Sequence, residues 1–250
     1  MKTVLALSLF FLIQTVFAEN YYRDSTLAIF NDPNSTLETI QIEINLLSKN
    51  QISSITYDQA RKFLFGRLFL KELTPKSYTV IDVYCNRSYD KSHGVGINQI
   101  PNPQYLNCEH TWPQSKFSKN FPSELQKADL HHLFPTDMKA NSTRNNFPFG
   151  EVNGKVTHGD CHDSQIGKEI ETGTKSFEPP FEHKGNVARA MMYFSTRYVM
   201  PIDSTQMKYL KKWNKEDPVD QEEQLRNEEI MNIQGNRNPF IDHPELIERF

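Results

Sequence analysis

Asn107-Cys108-Glu109-His110-Thr111-Trp112-Pro113-Gln114-Ser115 and Asp129-Leu130-His131-His132-Leu133-Phe134-Pro135-Thr136-Asp137-Met138-Lys139-Ala140-Asn141 concentrate the reactive side chains of this chain. Between them they hold carboxylates, imidazoles and amides, and no thiolate cluster with zinc-finger spacing. Metal-assisted hydrolysis of a phosphodiester needs such a set. Histidine can take a proton from water near neutral pH. A divalent cation stabilises charge developing on phosphate and on the leaving oxygen, and a hard ion such as Mg²⁺ prefers oxygen ligands. Glu109, His110 and Asn141 can supply that chemistry. In a regular strand, however, neighbouring side chains point to opposite faces. Glu109 and His110 share a site only if the strand twists or ends there, as Pro113 suggests. The plainer reading is a surface pair beside a disulfide.

Outward from these strings the chain reads as alternating short elements. Residues 78–84 alternate β-branched and aromatic side chains, which predicts a strand, and 86–103 is a polar surface loop. Residues 56–72 form a helical stretch whose apolar side carries Phe63, Phe65, Leu68, Phe69 and Leu70, while 37–49 gives a mixed signal. Pro135 allows a helix to begin, with Thr136 and Asp137 in its first turn and residues 145–148 ending it. Helices are expected over 187–198, 206–213 and 221–233, with Pro218 separating the last two. The tail, 237–250, is expected to pack along the surface. There is no internal repeat and no regular βαβ alternation, so the fold class is α+β, a single helix-rich domain.

Lys2, the apolar run of residues 4–13 and Val16-Phe17-Ala18 read as a signal peptide over 1–18, leaving a mature domain of 19–250. The run is too short for a bilayer span, so no stable membrane association is expected after cleavage. The formal net charge of −3 excludes a general electrostatic trap for nucleic acid but not a local basic cleft. Of the three cysteines, Cys85, Cys108 and Cys161, export favours pairing two, and all three pairings are open. A catalytic thiol at Cys108 is disfavoured against disulfide or core use.

The two opening strings resemble the hallmark segments of endonuclease I, exported bacterial DNases and RNases with a ββα-metal, or His-Me finger, site. Residues 140–152, Lys184-Gly185-Asn186-Val187-Ala188-Arg189-Ala190-Met191 and the terminal stretch 234–244 continue the resemblance in order. It implies a two-stranded hairpin plus helix clasping one Mg²⁺, with Mn²⁺ or Ca²⁺ as substitutes. By position, His110 would be the general base, Glu109 and Asn141 the metal ligands, and Arg144 a phosphate contact. The implied activity is secreted or periplasmic endonucleolytic cleavage of DNA, RNA or both. It would show little sequence preference, leave 5′-phosphates and be carried out by a monomer.

Other residues carry weaker expectations. One of His131 and His132 would support the site and the other would be structural. His158 and His162 have i, i+4 spacing, but Gly159 and Asp160 between them favour a loop over a zinc pair. Arg189 would pair with a buried carboxylate, Glu178 or Glu182, or lie at a helix edge. Lys116, Lys119, Lys127 and Lys139 are candidate phosphate contacts. Asn34, Asn86 and Asn141 each open a glycosylation sequon, accidental at Asn141 if that residue binds metal. Two alternatives stand beside the nuclease: a zinc hydrolase built on His110, His131, His132 and His158, and an inactive extracellular binding protein of the same fold.

Overall fold

The structure is a computed structural model that describes residues 21–49 and 55–250. The expected signal peptide lies outside the described residues. Two helices come first, α1 (Asp24–Asn31) and α2 (Leu37–Lys49), the latter resolving the mixed signal of that stretch. Ile40, Ile44 and Leu47 of α2 face the core.

Helix α3 (Tyr57–Phe63) opens with a capping box in which Thr56 and Gln59 satisfy each other's backbone donors. The helix expected over 56–72 is shorter than its apolar pattern. It passes into one π turn, Leu64–Leu68, and Glu72 already belongs to strand β1 (Lys71–Thr74). The break has a local cause. Gly66 lies against the backbone of Asn98, where a Cβ would come within 2.5 Å of the Asn98 nitrogen. β1 pairs with β2 (Ser77–Ile81), which pairs with β3 (Ser88–Tyr89), all antiparallel. The strand predicted over 78–84 therefore ends at Ile81, and Asp82 folds the chain back by accepting from the backbone of Tyr84, Cys85 and Arg87.

β4 (Leu106–His110) pairs with β5 (Leu133–Asp137), and the long connection between them contains helix α4 (Ser123–Lys127). Pro135 does not open a helix as expected; it sits inside β5, opposite Cys108. Its carbonyl accepts from Val83, so its missing N–H falls on the side away from β4 and no ladder bond is lost. Helix α5 (Met138–Arg144) begins three residues later because Asp137 caps it, accepting from Lys139 and Ala140.

A second antiparallel sheet, β6 (Val152–His158), β7 (Cys161–Glu169) and β8 (Lys175–Glu178), follows. Helix α6 (Lys184–Arg197) runs through the larger apolar cluster, flanked by α7 (Ser204–Glu216) and α8 (Gln221–Gln234). Arg189 on α6 does have a buried carboxylate partner, but it is Glu223 of α8 at 2.6 Å, not Glu178 or Glu182; Glu178 takes Lys184 instead.

The tail is more deeply placed than its polarity suggests. It contains helix α9 (Pro239–Asp242) and a 3₁₀ segment, Pro244–Arg249. Gln234, Asn236, Arg237, Asn238 and Phe240 are buried. Gln234 accepts from Leu130 and donates to Asp129, and Asn236 offers its carbonyl to His131 at 3.0 Å. One backbone and two side-chain groups of the segment just before β5 are thus held by the C-terminal stretch.

Candidate active site

β5 runs into α5 with no intervening loop, and β4 lies alongside. This places Glu109, His110, Asn141 and Arg144 around one open cleft of about 240 Å³, with Gln114 and Asn146 on its rim. The face problem posed by the adjacent Glu109 and His110 is solved by the strand's end. His110 is the last residue of β4, and both residues line the cleft.

His110 is 5 % exposed. Its Nε2 lies 3.1 Å from the carbonyl of Lys127, which can only accept, so Nε2 carries the proton. Nδ1 is then the basic nitrogen, and the exposed amide of Gln114 approaches it at 3.2 Å. The ring packs near Tyr57, Phe117 and His132. Burial, with the neighbouring His132, pushes its pKa well below the usual histidine value, so the imidazole is neutral at pH 7.

Glu109 is 2 % exposed. Its Oε1 accepts from Tyr84 at 2.8 Å and lies 3.3 Å from Nη1 of Arg144. Burial raises the carboxyl's pKa, against the opposing pull of Arg144 and Tyr84. Arg144, equally buried, also donates to the carbonyls of His110 at 3.2 Å and Thr111 at 2.7 Å, and it lies over the ring of Phe149. It thus clamps the end of β4 while forming part of the cleft wall. Asn141 is partly exposed, with its amide nitrogen 3.5 Å from the carbonyl of Cys108.

The structure joins Cys85 to Cys161 and leaves Cys108 free. Burial pushes the Cys108 thiol up to about 12, which removes it as a nucleophile at neutral pH. His131 and His132 are both fully buried in a 3₁₀ turn, each with Nε2 bonded to a backbone carbonyl, of Asn236 and Gln126 respectively. His132 meets the His110 ring at 5.4 Å, whereas His131 packs on Tyr193. Among the described residues no three His, Cys, Asp or Glu side chains are grouped to hold a metal ion. The zinc reading gains no cluster there, and the His158 side chain lies outside the description. Of the candidate lysines, Lys127 extends over the Tyr57 ring, and Lys116 lies close enough to Arg144 to feel its charge.

Sequence reasoning missed Tyr84, Gln114 and the Lys127 carbonyl as parts of this site. Gln114 stands inside the opening string and Tyr84 ends a predicted strand, but nothing in the sequence says that either reaches Glu109 or His110.

The Endonuclease I family model matches residues 38–245. An extracellular ribonuclease of Bacillus subtilis (strain 168) is 35 % identical over 186 residues, covering 66 % of this chain and 59 % of the relative. An extracellular ribonuclease of Bacillus amyloliquefaciens is 37 % identical over 160 residues, covering 56 % and 51 %. An extracellular deoxyribonuclease of Aeromonas hydrophila is 32 % identical over 139 residues, covering 55 % and 58 %. The chain spans between about half and three-fifths of the length of these curated relatives. The family match runs from α2 through the hairpin, α5 and the buried tail, and on that extent the chain belongs to the endonuclease I family.

Proposed function

We propose that this protein is a secreted or periplasmic, metal-dependent endonuclease that hydrolyses phosphodiester bonds of DNA, RNA or both, acting as a monomer with little sequence preference. The family and the ribonucleases and deoxyribonucleases among its relatives support a nucleic-acid substrate. Their extracellular names support export. No helix among the described residues is long and apolar enough to cross a membrane.

The observation that carries the mechanism is the bonding of His110. A neutral imidazole, with its proton fixed on Nε2 by the Lys127 carbonyl, presents an unprotonated Nδ1 to the cleft beside Glu109. In this reading the hairpin and α5 form a ββα-metal, or His-Me finger, module. Glu109 and Asn141 would hold one Mg²⁺. The donors are oxygens of the kind a hard cation takes: the Glu109 carboxylate at the cleft, and the Asn141 amide, whose nitrogen faces the Cys108 carbonyl and leaves Oδ1 as the ligand oxygen. When bound, the ion supplies electrostatic stabilisation of charge on the phosphate and the leaving oxygen.

His110 Nδ1 takes a proton from the attacking water once the exposed Gln114 amide swings aside. The Lys127 carbonyl steadies the imidazolium that results. The water oxygen bonds to phosphorus as the bond to the 3′ oxygen breaks, and the leaving oxygen takes a proton from solvent, giving a 5′-phosphate and a 3′-hydroxyl. Arg144 holds Glu109 and the end of β4 in place and adds positive potential to the wall facing the phosphate.

Digestion of plasmid DNA and of a structured RNA, in Mg²⁺ and in EDTA, tests this. The expected result is cutting in Mg²⁺, none in EDTA, and phosphatase-sensitive 5′ ends. Equal cutting in EDTA contradicts it.

A further inference from the structure

A second cavity, of about 360 Å³, opens next to the cleft and shares Pro113 and Arg144 with it as a common wall. That volume lies at the lower end of the roughly 300–1,000 Å³ occupied by small-molecule sites. Its walls include Trp112, Phe147 and Ile202, with Lys116 among the lining residues. Trp112 is held in place: its indole nitrogen donates to the carbonyl of Lys116 at 2.9 Å, and its ring stacks on Phe194. Phe147 is partly exposed and lies under the ammonium of Lys175. A mainly apolar chamber thus adjoins the candidate phosphate-cutting groups, with the cations Lys116 and Arg144 and, beside Lys116, the carboxylate of Asp203 and the amide of Gln206 on its lining.

We propose that this cavity is a base-binding subsite, taking the nucleobase of an unpaired nucleotide that adjoins the phosphate in the Glu109–His110 cleft. The proposal rests on the nuclease reading above. Every base has a flat π-face, and stacking on aromatic side chains is tolerant of sequence. The walls are mostly apolar, so they select for a flat ring over a particular base edge. A base inside a duplex must be unstacked and extruded before it can enter such a chamber. A single strand or loop offers the base without that step. Single-stranded or locally unpaired nucleic acid is the substrate that engages this subsite, with Lys116 placed for a flanking phosphate, whereas duplex is cut without its help.

The test fills the chamber in the full chain. Ile202→Tyr narrows it without touching Glu109, His110, Asn141 or Arg144, and Phe147→Ala removes a wall should the first variant fold poorly. Substrates are oligonucleotides with one ordinary phosphodiester among methylphosphonates, flanked by thymine or by an abasic residue, and the thymine version as a duplex. Ile202→Tyr should lower kcat/KM at least tenfold on the thymine-flanked single strand. It should change the abasic and duplex substrates less than twofold. Equal losses on all three, or no loss on any, overturn the subsite.

A binding measurement separates the two readings. Of the two tryptophans only Trp112, 5 % exposed, lines the chamber, while Trp213 is fully buried outside it, so oligothymidylate quenching of tryptophan emission in EDTA reports on Trp112. Saturable quenching that is lost in Ile202→Tyr upholds the subsite even if no substrate is cut, in which case the nuclease reading fails alone. Normal cutting without quenching overturns the subsite and leaves the nuclease reading standing.

Discussion

Tyr84 donates its hydroxyl to Oε1 of Glu109 at 2.8 Å, and both side chains are buried. The tyrosine sits beside the Cys85–Cys161 disulfide, in a turn organised by the buried Asp82. A carboxylate at the cleft is therefore oriented by a segment of the chain far from either motif.

Tyr84→Phe keeps the ring and removes only that hydroxyl. Loss of a group that orients a metal ligand typically reduces metal affinity or activity about 10–100-fold. The expected outcome is a higher Mg²⁺ concentration for half-maximal cutting, with the circular dichroism spectrum unchanged. An unaltered Mg²⁺ titration would show that Tyr84 is only a packing residue.

Arg144→Met leaves the Glu109 carboxylate buried without its cation. Removing one partner of a buried pair costs about 3–5 kcal/mol. Urea unfolding should show a loss of that order. In whatever protein remains folded, the Glu109 pKa rises further and the acid limb of the activity profile moves to higher pH. Arg144→Lys should recover part of the stability, because the charge returns without the fork that reaches His110 and Thr111.

Burial holds His131 at about 3, His132 at about 4 and His183 at about 3. These folded values lie below the unfolded histidine value of about 6.5. Above that pH the three are neutral in both states and their contribution to stability is fully present. As pH falls below it, the unfolded chain gains protons that the folded chain refuses, and stability declines until the folded values are reached. These three give a limiting slope of about 4 kcal/mol per pH unit, at about 1.4 each, and His110, also held low by burial, adds in the same direction. Glu109, Asp82 and Glu223, whose pKa values are raised, oppose this in the carboxylate range. Thermal unfolding between pH 7 and 5 should show a falling midpoint, and a flat profile would refute the assignment.

Cys85→Ser with Cys161→Ser removes the one disulfide among the described residues. Such a loss typically costs about 2–4 kcal/mol. Because the bond tethers the turn that carries Tyr84, the double variant should also need more Mg²⁺ for cutting, in parallel with Tyr84→Phe. Wild-type protein in reducing agent should show both changes, and wild-type stability in reductant would argue against the pairing.

The helices at 187–198, 206–213 and 221–233 were legible because long apolar or amphipathic patterns need no distant partner to be recognised. The structure extends them by one to three residues at most ends. The sheet β6–β7–β8 was not legible. Gly154 and Gly167 interrupt its alternation, and both are required because the two backbones meet face to face: a Cβ on Gly167 would lie 2.4 Å from the Cα of Gly154. The Pro135 helix start was misread because proline's usual meaning at a helix entry competes with its tolerance on a strand edge. Only the Val83 bond to its carbonyl decides between them. Glu109, His110 and Asn141 stand out by their chemistry and Arg144 through the resemblance, and the structure brings the four to one cleft. Their supports, Tyr84, Gln114 and the Lys127 carbonyl, depend on contacts between distant segments that no local pattern encodes.

In the proposed reaction His110 Nδ1 takes the proton from water. The most direct measurement compares wild type with His110→Ala on plasmid DNA and RNA in Mg²⁺, with folding verified by thermal unfolding. In the variant kcat should fall at least about a hundredfold, within the range of roughly 10²–10⁴ that positioned proton transfer contributes. Added imidazole should restore part of the loss. Robust cutting by folded His110→Ala protein, at a rate within a few-fold of wild type, would contradict it.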